Sequence, residues 1–193
     1  MTRRSVTDEQ LGRLCRRLSE VVRRVDEGAI SYDRTMEILQ ALIEGKSPRA
    51  IPQTFKVLVD YTQPLEEMIE EGNYDWVNPN ITENHFPLQE QDSQEVEIYL
   101  FHFKRTMSSK EAEKEMEKAG FRPATLPELL ALGRDYPDLQ KQFLIAALGS
   151  VWRHPAGSSD TPLLEWDGGG RDLGLHWLEG DWRGGCRFAA VRK

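Results

Sequence analysis

Apolar residues recur at steps of three and four near the start of the chain: Leu11, Leu14, Leu18, Val21, Val22 and Val25. That period predicts an amphipathic helix, opened by Thr7 or Asp8 and closed by Gly28. A second stripe, Met36, Ile38, Leu39, Leu42 and Ile43, predicts another helix from Ser31 to Gly45. The two read as an antiparallel helical hairpin. Past Pro48 and Pro52 the period becomes two. Phe55, Val57, Val59 and Tyr61 alternate as one face of a strand, and Pro64 opens a short helix over Leu65–Glu71. Residues 73–88 are turn-rich, and the aromatics Tyr74, Trp76 and Phe86 are expected to dock on a core.

The strongest strand pattern is Glu95–Arg105. Val96, Ile98, Leu100 and His102 alternate there with Glu97, Tyr99, Phe101 and Phe103, so both faces are expected to be covered. Helices follow over 109–119, capped by Ser108 or Ser109, and over 126–134, capped by Thr125 with Pro127 in the first turn. A further short helix is expected over Asp135–Gln142, a buried strand over Phe143–Trp152, and short strands over Pro162–Trp166 and Leu173–Trp177. Cys186–Lys193 closes the chain as a strand with Phe188, Ala190 and Arg192 on one face. It is expected to pair antiparallel with Glu95–Arg105. The class is α+β: a helical hairpin (1–47), a strand–helix–loop connector (48–92) and a C-terminal domain (93–193).

Composition narrows the function. The chain has 193 residues, 39% hydrophobic and 30% charged, as expected of one or two globular domains. Its net charge of −7 argues against wholesale nucleic-acid binding, although Arg3, Arg4, Arg13, Arg16, Arg17, Arg23 and Arg24 are expected to make the first helix basic. These arginines are either a partner contact or a solvated face. Cys15 and Cys186 form no metal-like or redox-like pair. With no apolar run of membrane length and no apolar signal core, the expectation is a cytoplasmic protein that does not span a membrane.

The remaining signal lies in Trp166–Lys193, where three tryptophans alternate with Gly, Asp and Arg. Trp166, Trp177, Trp182 and Phe188 read as a buried scaffold. Asp167, Arg171, Asp172, His176, Asp181 and Arg183 read as exposed ligand-binding residues hung between them. The competing reading is an irregular Gly-rich sheet end whose tryptophans plug a core.

The order of a long strand, two helices, several short strands and a C-terminal strand resembles a C-type lectin-like domain over about 95–193. Phe121–Leu132 resembles the strand–turn–helix of the formylglycine-generating-enzyme branch of that fold. Phe121–Leu132, Ala147–Trp152 and Arg187–Lys193 are also similar to uncharacterised candidate-phylum bacterial proteins, some of which resemble variable proteins of diversity-generating retroelements. In such systems, mutated template adenines turn AAC codons into NNC. The resemblance implies that the six exposed residues, all permitted by NNC, are diversified and bind a ligand. Trp166, Trp177, Glu179 and Trp182 are not encodable by NNC and would belong to the fixed frame. The chain departs from that family in having no clear asparagine-rich remnant and no assigned counterpart for its N-terminal half.

Catalytic chemistry is not indicated. His85, His102, His154 and His176 are not at metal-ligand spacing, and Trp166–Asp172 matches neither a phosphate loop nor a calcium loop. Cys186 is alone where formylglycine chemistry needs a pair. No cofactor and no metal are expected. The partner implied is an unidentified protein or small molecule. The alternative function is a non-catalytic regulatory or structural adaptor using the basic N-terminal helices for partner contact.

Overall fold

The computed structural model describes residues 7–28, 30, 32–44, 53–88 and 92–193. Arg3, Arg4, Ser31, Gly45, Pro48 and Pro52, used in the sequence reading, lie outside them. The chain divides into two compact units, Met1–Ile51 and Pro52–Lys193. The smaller contains α1 (Asp8–Asp26) and α2 (Tyr32–Ile43), matching the two apolar stripes. Thr7 caps α1 reciprocally with Gln10, each side chain bonding the other's backbone N–H.

The larger unit is α+β. Its main sheet runs β1 (Gln53–Val59), β3 (Gln94–Phe101), β11 (Arg187–Arg192), β6 (Ile145–Ala146), β8 (Ser159–Trp166), β9 (Arg171–Trp177), β2 (Trp76–Val77). β5 (Phe121–Pro123) also pairs with β11, and β7 (Trp152–Arg153) with β8. A second small sheet joins β4 (Met107–Ser108) to β10 (Asp181–Trp182). The expected pairing of the two strongest strands is present. β3 and β11 are antiparallel, with Phe188 opposite Phe101 and Val191 opposite Ile98. β1 joins the other edge of β3, so the described residues of the expected connector from Gln53 onward belong to the larger unit.

Period-two alternation along β3 sorts its side chains into two cores. Val96, Ile98 and Leu100 pack with α3 (Leu65–Gly72) and α5 (Leu126–Asp135), and Tyr99 and Phe101 pack with α4 (Ser109–Lys118). β11 divides the same way, with Ala189 in the first core and Phe188 and Ala190 in the second. α4 opens on a Ser108–Glu111 capping box, as its sequence requires.

Two expected elements differ. Residues 136–142 form turns rather than a helix. Pro137 disfavours helical backbone at Tyr136, where α5 stops, and the Gln140 side chain donates instead to the carbonyls of Glu165 and Asp172. Phe143–Trp152 is not one strand. It breaks after Ala146, where Gly149 N–H donates to the Ala124 carbonyl and Ser150 Oγ accepts from Leu126 N–H, tying this turn to the start of α5.

Burial also sets thiol chemistry. Cys186 lies in the second core, and burial pushes its thiol up to about 12. At pH 8 it is then almost wholly the unreactive thiol. Mass mapping after alkylation should find Cys186 unmodified in the native protein and modified once guanidinium unfolds it.

Candidate functional site

Asp167 turns the chain from β8 into β9. Its Oδ1 accepts from the N–H groups of Gly169 and Gly170, at 2.8 and 3.0 Å, and these bonds hold its carboxyl below the usual carboxylate range. Gly168 adopts φ +97°, a left-handed value that a side chain would strain. The hairpin is rigid beneath this turn: β8 and β9 pair over seven positions, from Trp166 opposite Arg171 to Asp160 opposite Trp177.

The register assigns the faces. Glu165 lies opposite Asp172, and Trp76 of β2 lies beside Asp172 on the other edge, so these three share one face with Gly174 and His176. Asp75, Trp76, Asp167, Gly169, Gly170 and Asp172 wall an open cleft of about 510 Å³. Trp76 is 48% exposed there rather than docked on a core. It sits in a two-residue edge strand whose neighbour Val77 carries the partly buried apolar contact.

The cleft concentrates negative charge. The Asp172 carboxyl is raised by partial burial and then by Asp167 and Asp75. Glu165 is raised by burial and by Asp172, against a smaller opposing influence from His176. The crowding disfavours the ionised form of both carboxyls in the free protein. The sign is testable. An acid whose folded pKa is raised makes the ionised fold less stable, a cost present above that pKa and absent below the unfolded value. Asp172→Asn should therefore raise the melting temperature at pH 7. Melts at decreasing pH should show the advantage fading as the native carboxyl protonates.

The six predicted ligand-binding residues do not form one group. Asp167 and Asp172 line the cleft. His176 is half-buried, its ring 4.5 Å from that of Trp182. Asp181 and Arg183 are exposed at β10 and just after it. Arg171 is a correction: it is a structural clamp rather than a display residue. Its guanidinium donates to the carbonyls of Gly72 and Gly133, each at 2.6 Å, to that of Asn73 at 3.3 Å and to Gln140 Oε1 at 3.2 Å. It also lies over the Tyr74 ring, with Cζ 5.0 Å from the centroid.

The scaffold is half as expected. Trp182 and Phe188 are buried, in edge-to-face contact at 5.6 Å. Trp182 Nε1–H donates to Ser109 Oγ, whose hydroxyl donates to the Leu178 carbonyl. Trp166 and Trp177 are corrections, 38% and 67% exposed. They stand at the ends of the β8–β9 ladder, and Trp177 lies beyond the reach of the short β2. Asp75 and Trp76 line the cleft and Glu165 lies opposite Asp172, but the sequence reading assigned none of them to the site and placed Trp76 on a core. Their signal was non-local, because β2 reaches the hairpin from almost a hundred residues away.

No grouping of His, Cys, Asp and Glu suited to a metal occurs among the described residues. His85 and His154 instead stack on opposite faces of Trp152, at 4.0 and 3.8 Å, and His154 Nε2 lies 2.9 Å from Asp160 Oδ2. Among the described residues no helix is long and apolar enough to cross a membrane. No known family model matches the sequence, and comparison with curated proteins and with solved structures finds no match.

Proposed function

We propose that this chain is a ligand-binding display protein with a C-type lectin-like domain, whose C-terminal surface is diversified by a retroelement. The observation that carries the reading is the acidic cleft at the β8–β9 turn, where mutually repelling carboxylates and an exposed indole sit on a rigid strand ladder. The pairing of β3 with β11, which brings the two ends of the C-terminal region together, supports the lectin-like part.

In this reading Asp167, Asp172, His176, Asp181 and Arg183 are replaceable, and Arg171, Trp182 and Phe188 are frame. The ligand that suits this version of the surface carries a cationic group. An ammonium or guanidinium would neutralise Asp167 and Asp172 and stack on Trp76. No catalytic step is assigned to the site.

Sequencing the DNA around the gene tests the diversification directly. The expected finding is a reverse-transcriptase gene and a near-repeat of the coding sequence for Trp166–Lys193, carrying AAC where the gene has the codons of the replaceable residues. A locus with neither would reject diversification.

A further inference from the structure

We propose that the cavity at the start of α5 is a second binding site, for a small uncharged molecule made of one ring and one hydrogen-bond acceptor of the carbonyl kind. It shares no wall residue with the acidic cleft, so the proposal is independent of the ligand reading.

The cavity holds about 220 Å³. Tyr61 just past β1, Phe86 and Leu88 of the connector, Leu126 of α5 and Val151 give it a largely apolar wall. Tyr61, Phe86 and Leu126 belong to the first core, so the cavity opens off that core. Hydrogen bonds fix one side of it. Gly149 N–H donates to the Ala124 carbonyl at 2.9 Å, and Leu126 N–H donates to Ser150 Oγ at 2.8 Å. The 147–150 turn lies so close to the start of α5 that a Cβ on Gly149 would come within 2.6 Å of the Ala124 carbonyl oxygen. Walls held in this way are formed before a ligand arrives.

Polarity selects the ligand. The wall carries no Asp, Glu, Lys, Arg or His. An ion entering it would lose its hydration with no opposite charge to replace it, so the occupant is neutral. Three wall side chains bear a hydroxyl. That of Tyr61 donates to Glu128, and that of Ser150 accepts from Leu126 N–H. Thr125 Oγ1 is buried and has no partner, because Thr125 meets Glu128 through its backbone N–H. A buried hydroxyl without a partner is costly, and an acceptor in the cavity would remove that cost. One water would serve Thr125 as well. The volume, however, has room for about seven waters at ~30 Å³ each, and apolar walls leave the others short of partners. It suits a single ring with a short substituent, since an apolar cavity of about 150 Å³ takes up benzene.

A methyl NMR titration of the full chain tests this, with acetophenone as the probe and ethylbenzene as the same body without the acceptor. Acetophenone should move the methyl signals of Leu88, Leu126 and Val151 saturably, with a Kd of about 1 mM. Ethylbenzene should move the same signals with about 5-fold weaker affinity, the worth of one neutral hydrogen bond. Thr125→Val should abolish that difference by weakening acetophenone alone, and Thr125→Ser should keep it. An unchanged ethylbenzene affinity in the valine variant shows that the cavity is intact. Shifts that never saturate, or that fall on other residues, would mean a cavity filled by water only and would overturn the proposal. Equal affinity of the parent for the two probes, or an acetophenone affinity that Thr125→Val leaves unmoved, would overturn it too. The comparison of probes on the parent needs no variant, so it decides even if Thr125→Val fails to fold.

Discussion

Replacing Arg171 with alanine should lower the stability of the larger unit by about 3–5 kcal/mol, or roughly 10 °C in melting temperature. The guanidinium joins the turn after α3, the interior of α5 and the 136–142 turns to the first residue of β9. Alanine would leave the Gly72 and Gly133 carbonyls without their charged donor. The cost combines lost charge-assisted bonds with desolvated acceptors. It would also uncover the Tyr74 ring, which fits so closely between α3 and α5 that a Cβ on Gly72 would come within 2.2 Å of the ring and one on Gly133 within 2.2 Å of its hydroxyl. Lysine should not restore stability, because a point charge cannot reach carbonyls on two helices as a planar fork does. Thermal denaturation of Arg171→Ala and Arg171→Lys measures both.

Glu128→Ala should also be damaging, at about 2–3 kcal/mol. This carboxylate is fully buried in the first turn of α5. It accepts from both Arg122 guanidinium nitrogens, at 2.7 and 3.0 Å, from the Tyr61 hydroxyl at 3.0 Å and from Thr125 N–H at 2.7 Å. Burial, then the Glu128 charge, pushes the Tyr61 phenol up to about 12, so it remains a donor throughout the working pH range. Removing the carboxylate leaves the Arg122, Tyr61 and Thr125 donors without their shared acceptor, and only the 41%-exposed Arg122 side chain can turn to water instead. Glutamine keeps the shape, but its amide N–H₂ would point at another donor, so it should rescue little. Tyr61→Phe, which deletes one bond, should cost only about 1 kcal/mol. Chemical denaturation of the three variants ranks them.

Much of the frame was legible because its determinants are local. β3 and β11 showed themselves through two-faced apolar alternation, and α4 and α5 through Ser108, Thr125 and Pro127 at their starts. The 136–142 segment misled because its apolar spacing is helical while Pro137 is a nearer constraint. The site was legible in location but not in roles. Arg171 has the look of a loop residue, since its partners Gly72, Gly133 and Gln140 lie 99, 38 and 31 residues away. Trp166 and Trp177 resembled core plugs, yet burial at a strand end depends on what neighbours it. Here, among the described residues, the sheet continues past β9 only by a two-residue strand unpredicted from sequence. That strand also brings Asp75 and Trp76 to the cleft.

The central claim is that replaceable surface residues and fixed frame residues are interleaved along Trp166–Lys193. It is tested most directly by protease-resistance sorting of two libraries. In the first, the codons for Asp167, Asp172, His176, Asp181 and Arg183 become NNC while Arg171 is held. In the second, Arg171 is randomised as well. The account predicts that most members of the first library remain resistant, and that survivors of the second are strongly enriched in arginine at 171. A first library that collapses, or a second whose survivors show no preference at 171, would contradict it.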